Sequence, residues 1–97
     1  MISVTSIKIG EKSGLGVKID LPESPPLVMA IADKGFVMCG FLNLEAAEKL
    51  NVSAAVISGV KTVDEILNAG VKSATTKAKK LGVETEMKGS EALKRMS

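Results

Sequence analysis

Cys39, the one cysteine of the chain, lies between Met38 and Gly40 in the stretch DKGFVMCGFLN (33–43). A thiol near the end of a strand can serve as a nucleophile or redox centre, and Gly40 beside it would let a ligand approach closely. With no histidine in the chain, activation would have to come from a lysine or a helix N-terminus. The other reading is a small apolar side chain. Unpaired cysteine is among the most buried residue types, and Val37, Met38 and Phe41 around it are apolar. Burial of that kind makes a thiol inert. The apolar neighbours favour core, and the thiol reading stays open beside it.

The second constellation is ISGVKTVDE (57–65). Gly59, Lys61 and Thr62 at a strand-to-helix passage offer backbone N–H groups, an ammonium and a hydroxyl, which together suit a small anion. A nucleotide P-loop needs a second glycine and a longer loop, and both are missing. The competing reading is a plain connection in which Thr62 caps a helix and Glu65 completes a capping box. Asp64 and Glu65 are adjacent on that helix and point apart, so they make no metal site together. Gly10, Gly14 and Gly16 are too scattered for a phosphate loop and read as hairpin punctuation. Met29 and Met38 read as core filling.

Composition removes whole classes of chemistry. There is no His, Trp or Tyr, and Phe occurs twice. Without His, Ser-His-Asp and Cys-His catalysis, an imidazole base and His metal ligation are all excluded. One Cys and no His also exclude the usual structural zinc and iron–sulfur sites within the chain, so no metal and no cofactor are expected. The aromatics needed to stack single-stranded nucleic acid are missing, and a net charge of +2 is small for a nucleic-acid partner. Charge is uneven, however. Residues 71–97 carry seven Lys or Arg against three Glu, a balance of +4 that could attract an anion or acidic partner or simply be a solvated face of helical lysines.

The rest is ordinary for a globular protein. Ninety-seven residues, 45% hydrophobic and 25% charged, predict a single domain over 1–97. No apolar run approaches the roughly 20 residues that span a bilayer, and MISVTSIKIG lacks the pattern of a secretory signal. A single cysteine fits a reducing, cytoplasmic setting.

These residues need elements to position them. The alternation in 2–9 and again in 15–21 predicts a hairpin with one wet face, turned by EKSG (11–14). LVMAIA (27–32) and FVMCGFL (36–42) are apolar on both faces, and Asp33-Lys34-Gly35 joins them as a tight turn with Gly35 in the left-handed position. Asn43 caps a helix over 44–50 that buries Leu44, Ala47 and Leu50. A strand follows over 53–59, reached by that helix as a crossover. Thr62 opens a second helix, with Val63, Ile66 and Leu67 inward and Gly70 beyond its end. Residues 73–81 predict a third helix, 83–87 an edge strand, and Ser90 the cap of a last helix burying Ala92, Leu93 and Met96. The order predicts an α+β fold: one mixed β-sheet of about five to six strands, with N-terminal hairpins and three to four short helices. Helices of about two turns are too short to cover both faces of such a sheet, which predicts a homo-oligomer.

DKGFVMCGFLNLEAAEKL, AAVISGVKTVDEIL and LGVETEMKGSEALKRM resemble the YunC-like family, small bacterial and archaeal proteins grouped as a domain of unknown function. The likeness spans roughly residues 2 to 96 and is strongest in KGFVMCG, GVKTVDEIL and KGSEAL. It implies one α+β domain with no established activity, substrate or catalytic residues, so no site carries over. The residues alone therefore point to a non-catalytic, oligomeric module that binds a small anionic ligand or a protein partner through Gly40, Gly59, Lys61 and Thr62, with no nucleic-acid or membrane partner. The alternative is a thiol-dependent enzyme with Cys39 as nucleophile or redox centre.

Overall fold

A computed structural model describes the chain from Met1 to Ser97. Ile2–Ile9 (β1) and Lys12–Ile19 (β2) form the first hairpin. Its turn is Gly10-Glu11, with Gly10 at φ +62°. A two-residue loop with positive φ at its first position follows the right-handed twist of the strands. The turn therefore falls earlier than the predicted 11–14, and the second strand starts at Lys12 instead of Leu15. Leu27–Ile31 (β3) and Phe36–Met38 (β4) form the second hairpin. Gly35 is not left-handed in it. It is needed for close approach, because a Cβ there would lie 2.5 Å from Met96 Sδ and 2.6 Å from the Ser53 carbonyl oxygen.

Leu44–Lys49 (α1) carries the chain from β4 to Ala54–Val56 (β5), which pairs parallel with β4. Asn43 caps α1 as expected, its Oδ1 accepting from the Ala46 N–H at 3.0 Å. Ala47 is buried, but Leu50 is 74% exposed, outside the inward stripe it was assigned to. Val63–Asn68 (α2) opens on Thr62, whose Oγ1 accepts from the Glu65 N–H at 3.1 Å. Glu65 Oε1 in turn accepts from the Lys61 N–H at 2.7 Å, so the box closes one residue before the cap.

Three expectations fail in the last third of the chain. Residues 73–74 do not start a helix. They form β6 (Ser73–Ala74), held antiparallel on β5, and the helix α3 is Thr76–Lys80. Thr75 makes the switch: its Oγ1 accepts from the Ala78 and Ala54 N–H groups and donates to the Val52 carbonyl at 2.8 Å. Residues 83–87 form no strand, because Glu86 stands at φ +71° and only the single bridge Gly70–Lys88 survives. Gly89–Arg95 (α4) is capped by Lys88 without a side-chain bond, so Ser90 is inside the helix. Ala92, Leu93 and Met96 are buried as expected.

The six strands lie in sequence order and all neighbours are antiparallel except β4 and β5. This is an α+β fold on one mixed sheet with four helices. Register sorts side chains into faces, since residues opposed across strands share a face. One row runs Thr5, Gly16, Ala30, Val37, Ala55, Ala74. It is built of small residues, and α2 and α4 pack on it to form the main core with Ile66, Leu93 and Met96. The neighbouring row on the other face runs Val4, Val17, Met29, Met38, Val56. There α1 touches β5, and Ala47, Ala54 and Val56 are buried apart from the main core.

Candidate functional site

Parallel strands with a helical crossover bring two chain reversals to one end of the sheet, and in open sheets ligands sit outside the carboxyl ends of such strands. Here β4 leads into Cys39-Gly40-Phe41, and β5 leads through Ile57 and Ser58 into Gly59-Val60-Lys61. Between these two connections, roofed by Pro25 and Pro26 of the β2–β3 loop, lies a cleft of about 270 Å³. Its walls are mostly apolar, and Lys61 is the only charged residue among them. Lys61 takes part in none of the ion pairs of the molecule.

Cys39 lies at the base of this cleft and is 3% exposed. Its backbone N–H donates to the Val28 carbonyl at 2.9 Å, and the Val28 N–H donates to Cys39 Sγ at 3.4 Å. The sulfur is thus tied into the β3 edge and counted in the main core. It borders the cleft without standing free in it.

Two glycines keep the cleft open for different reasons. Gly59 is at φ +77°, a conformation that strains any side chain. Gly40 has no such constraint. A Cβ there would meet nothing nearer than Ser58 Cβ at 3.9 Å, an ordinary contact. Packing does not require glycine at 40; a side chain would simply occupy the space beside the cleft.

Of the residues singled out from the sequence, Cys39, Gly40, Gly59 and Lys61 come together here. Thr62 does not. Its hydroxyl is engaged as the cap of α2, and it faces a separate shallow depression of about 340 Å³ bounded by Ser3, Ser6 and Asp64. Sequence reasoning missed Pro25, Pro26, Phe41 and Val60. The Pro-Pro pair carried a signal of a rigid loop, but nothing local to it indicated what the loop would cover. Phe41, half of it exposed, was hidden in an apolar run that reads as continuous strand.

Elsewhere one titratable group is perturbed. Glu48 of α1 accepts from the Thr76 N–H at 2.9 Å through Oε2 and at 3.3 Å through Oε1. Hydrogen bonding from the Thr76 side chain and then from its backbone N–H holds the carboxyl below the ordinary value of 4.5, against desolvation and with a lesser contribution from the Lys79 charge. Glu48 serves the start of α3 and does not line the cleft. No group of three or more acidic or sulfur side chains is placed to hold a metal ion.

Fold and site together define a small α+β domain with an apolar cleft at the carboxyl ends of a parallel strand pair. Residues 38–96 match the model of a family described as a domain of unknown function, DUF1805. The chain is 35% identical over 101 residues to the uncharacterized protein YunC of Bacillus subtilis strain 168, covering 99% of this chain and 98% of that one. It also superposes with a TM-score of 0.93 on the crystal structure of a protein of unknown function, TA1206 from Thermoplasma acidophilum, at 34% identity over 100% of this chain and 94% of that one. The chain belongs to this YunC-like family of domains of unknown function. The family match begins at Met38 and so takes in both connections that wall the cleft but not the β2–β3 loop that roofs it.

Proposed function

We propose that this is a non-catalytic binding domain of the reducing cytoplasm whose cleft holds a small anionic ligand with an apolar body. The observation that carries the reading is the convergence of Cys39, Gly40, Gly59 and Lys61 on one cleft with a single cation at its wall. The Lys61 ammonium pairs with the anionic group, while Pro25, Pro26, Phe41 and Val60 cover the apolar part. The cleft offers no imidazole, since the chain lacks His, and the one thiol of the chain is buried at its base. The reading assigns no cofactor, nucleic-acid or membrane role. No helix is long and apolar enough to cross a membrane.

Benzoate and inorganic phosphate, titrated separately by calorimetry, test this. The reading expects benzoate to bind, and Lys61→Ala to weaken it by about tenfold or more, the loss of one charge-assisted contact. Gly40→Val should abolish binding with the melting temperature unchanged. Equal binding of both anions to the Lys61→Ala variant and the parent would overturn it.

A second reading rests on Cys39 bordering the cleft: a thiol-dependent enzyme with Cys39 as nucleophile. Iodoacetamide labelling against pH separates the two. Slow labelling released only by unfolding supports the binding domain. Labelling faster than that of the unfolded chain near pH 7 would put the enzyme first.

A further inference from the structure

The sheet is packed the wrong way round for an isolated protomer. Beneath α2 and α4 the middle of the sheet is lined by Gly16, Ala30 and Ala55, while Leu15, Ile19, Met29 and Met38 point to the other side. There the central row Val4, Val17, Met29, Met38 is flanked on β2 by Leu15 and Ile19, and the opposed residues of β1, β3 and β4 continue the same surface. Past β5 no helix covers it: α1 touches β5, and α2 and α4 are on the opposite side. Val4 is 58% and Leu15 46% exposed, whereas Val28, Ala30 and Val37 on the covered face are fully buried.

We propose that this open face of β1–β4 docks on the same face of a second copy of the chain, forming a two-fold, sheet-on-sheet dimer. Three observations select that occupant. The rows carry no charged side chain between Ile2 and Met38 until Lys8 at the hairpin end, so a nucleic acid, a headgroup surface or an acidic peptide finds nothing to pair with, and the complementary surface must itself be apolar. The chain presents such a surface on every copy, and an isologous interface needs only self-complementarity. The third is size, which sets the strength of the association. Ten apolar side chains, of which Ile2, Val4 and Leu15 are exposed and the rest half-buried in the protomer, on strands about 4.8 Å apart and spaced about 6.7 Å along each strand, cover on the order of 300–400 Å² per copy, so two copies bury on the order of 600–800 Å², below the roughly 1,000 Å² of a stable interface. That is a weak, concentration-dependent dimer, with two sheets about 10 Å apart and strands crossing at about 30°.

The dimer face is separate from the cleft, so its failure leaves the ligand reading untouched, and the two are read by mass and by heat respectively. Sedimentation of the full chain from ~1 to ~500 µM is the test, since self-association is set by mass action. The mass should rise from 10.1 kDa toward twice that value. Val17→Asp, in the middle of the row, should hold the protein at the single-chain mass throughout with its circular dichroism spectrum unchanged. Val4→Asp, at a position already mostly exposed in the protomer, does the same and covers the case that the first variant misfolds. A parent that stays at the single-chain mass at the highest concentration overturns the proposal. So does a dimer indifferent to both substitutions, which would assign association to another surface such as the free edge of β1.

Discussion

The two faces of the sheet differ in a way that neither strand sequence nor hydropathy describes. Under the helices, the row Thr5–Gly16–Ala30–Val37–Ala55–Ala74 has Gly or Ala at four of six positions, so α2 comes close: a Cβ on Gly16 would lie 2.7 Å from Val63 Cγ1. On the other face the row Val4–Val17–Met29–Met38 is larger and more apolar yet half open to solvent. Close helix packing on small residues buries backbone and Cβ surface tightly. The Val, Leu, Ile and Met side chains of the other face instead stand as a raised apolar layer. The lesson is that exposure and side-chain size together, not hydrophobicity alone, distinguish a finished core from an open face.

The contrast can be broken most directly by truncation on each side. Ile66 of α2 is fully buried against the small-residue face, so Ile66→Ala should cost about 2–5 kcal/mol by urea denaturation. Val4→Thr on the open face, measured at low protein concentration, should stay within about 0.5 kcal/mol of the parent. Comparable losses at the two positions would mean that the open face is packed within the protomer, and the distinction would fall. A smaller effect sharpens the geometry of the covered face. Gly16→Ala drives a methyl into the stiff, branched Val63 side chain and should cost about 1–3 kcal/mol. No loss of stability would mean that α2 stands further from β2 than described.

The smallest effect concerns the third region, where α1 and α3 meet beyond the sheet. Folding lowers the carboxyl pKa of Glu48 through hydrogen bonds from Thr76. Its contribution is therefore fully present above the ordinary value of 4.5 and is lost as pH falls through the lower folded-state value. Glu48→Gln should flatten that part of the acid limb of stability and leave the neutral region nearly unchanged, because the group is exposed to solvent. An acid limb identical to that of the parent would remove Glu48 as the anchor of α3.

Local rules were legible where the interaction was local. Asn43 and Thr62 cap helices because a side-chain oxygen needs only an N–H three residues ahead. The two hairpins and the crossover helix followed from turn residues and apolar runs. The last third was misread where distant partners outbid local preference. Thr75 gives up a longer helix over 73–81 to bond Ala54 of β5 and Val52 just before it, and Gly89 starts α4 early because its N–H reaches the Ala69 carbonyl at 2.9 Å. Glu86, at positive φ, ends an alternating stretch that otherwise reads as strand. At the cleft, Cys39 and Lys61 could be nominated singly from residue type. That Thr62, next to Lys61 in sequence, belongs elsewhere follows from the chain turning into α2 between them.

By itself the sequence determined which side-chain types are absent, which segments of the first two thirds fold as strands or short helices, and that the central strands are apolar on both faces. Those are properties of composition and spacing, and they need no long-range geometry. Only the tertiary structure decided which face the helices take, since both faces are apolar and the choice turns on whether small or large side chains accept a close helix. It alone brought Cys39 and Lys61, separated by a helix and a strand, to one cleft, because parallel pairing of β4 and β5 aligns their carboxyl ends. Register and handedness carry that information, and both arise from contacts between residues far apart in the chain.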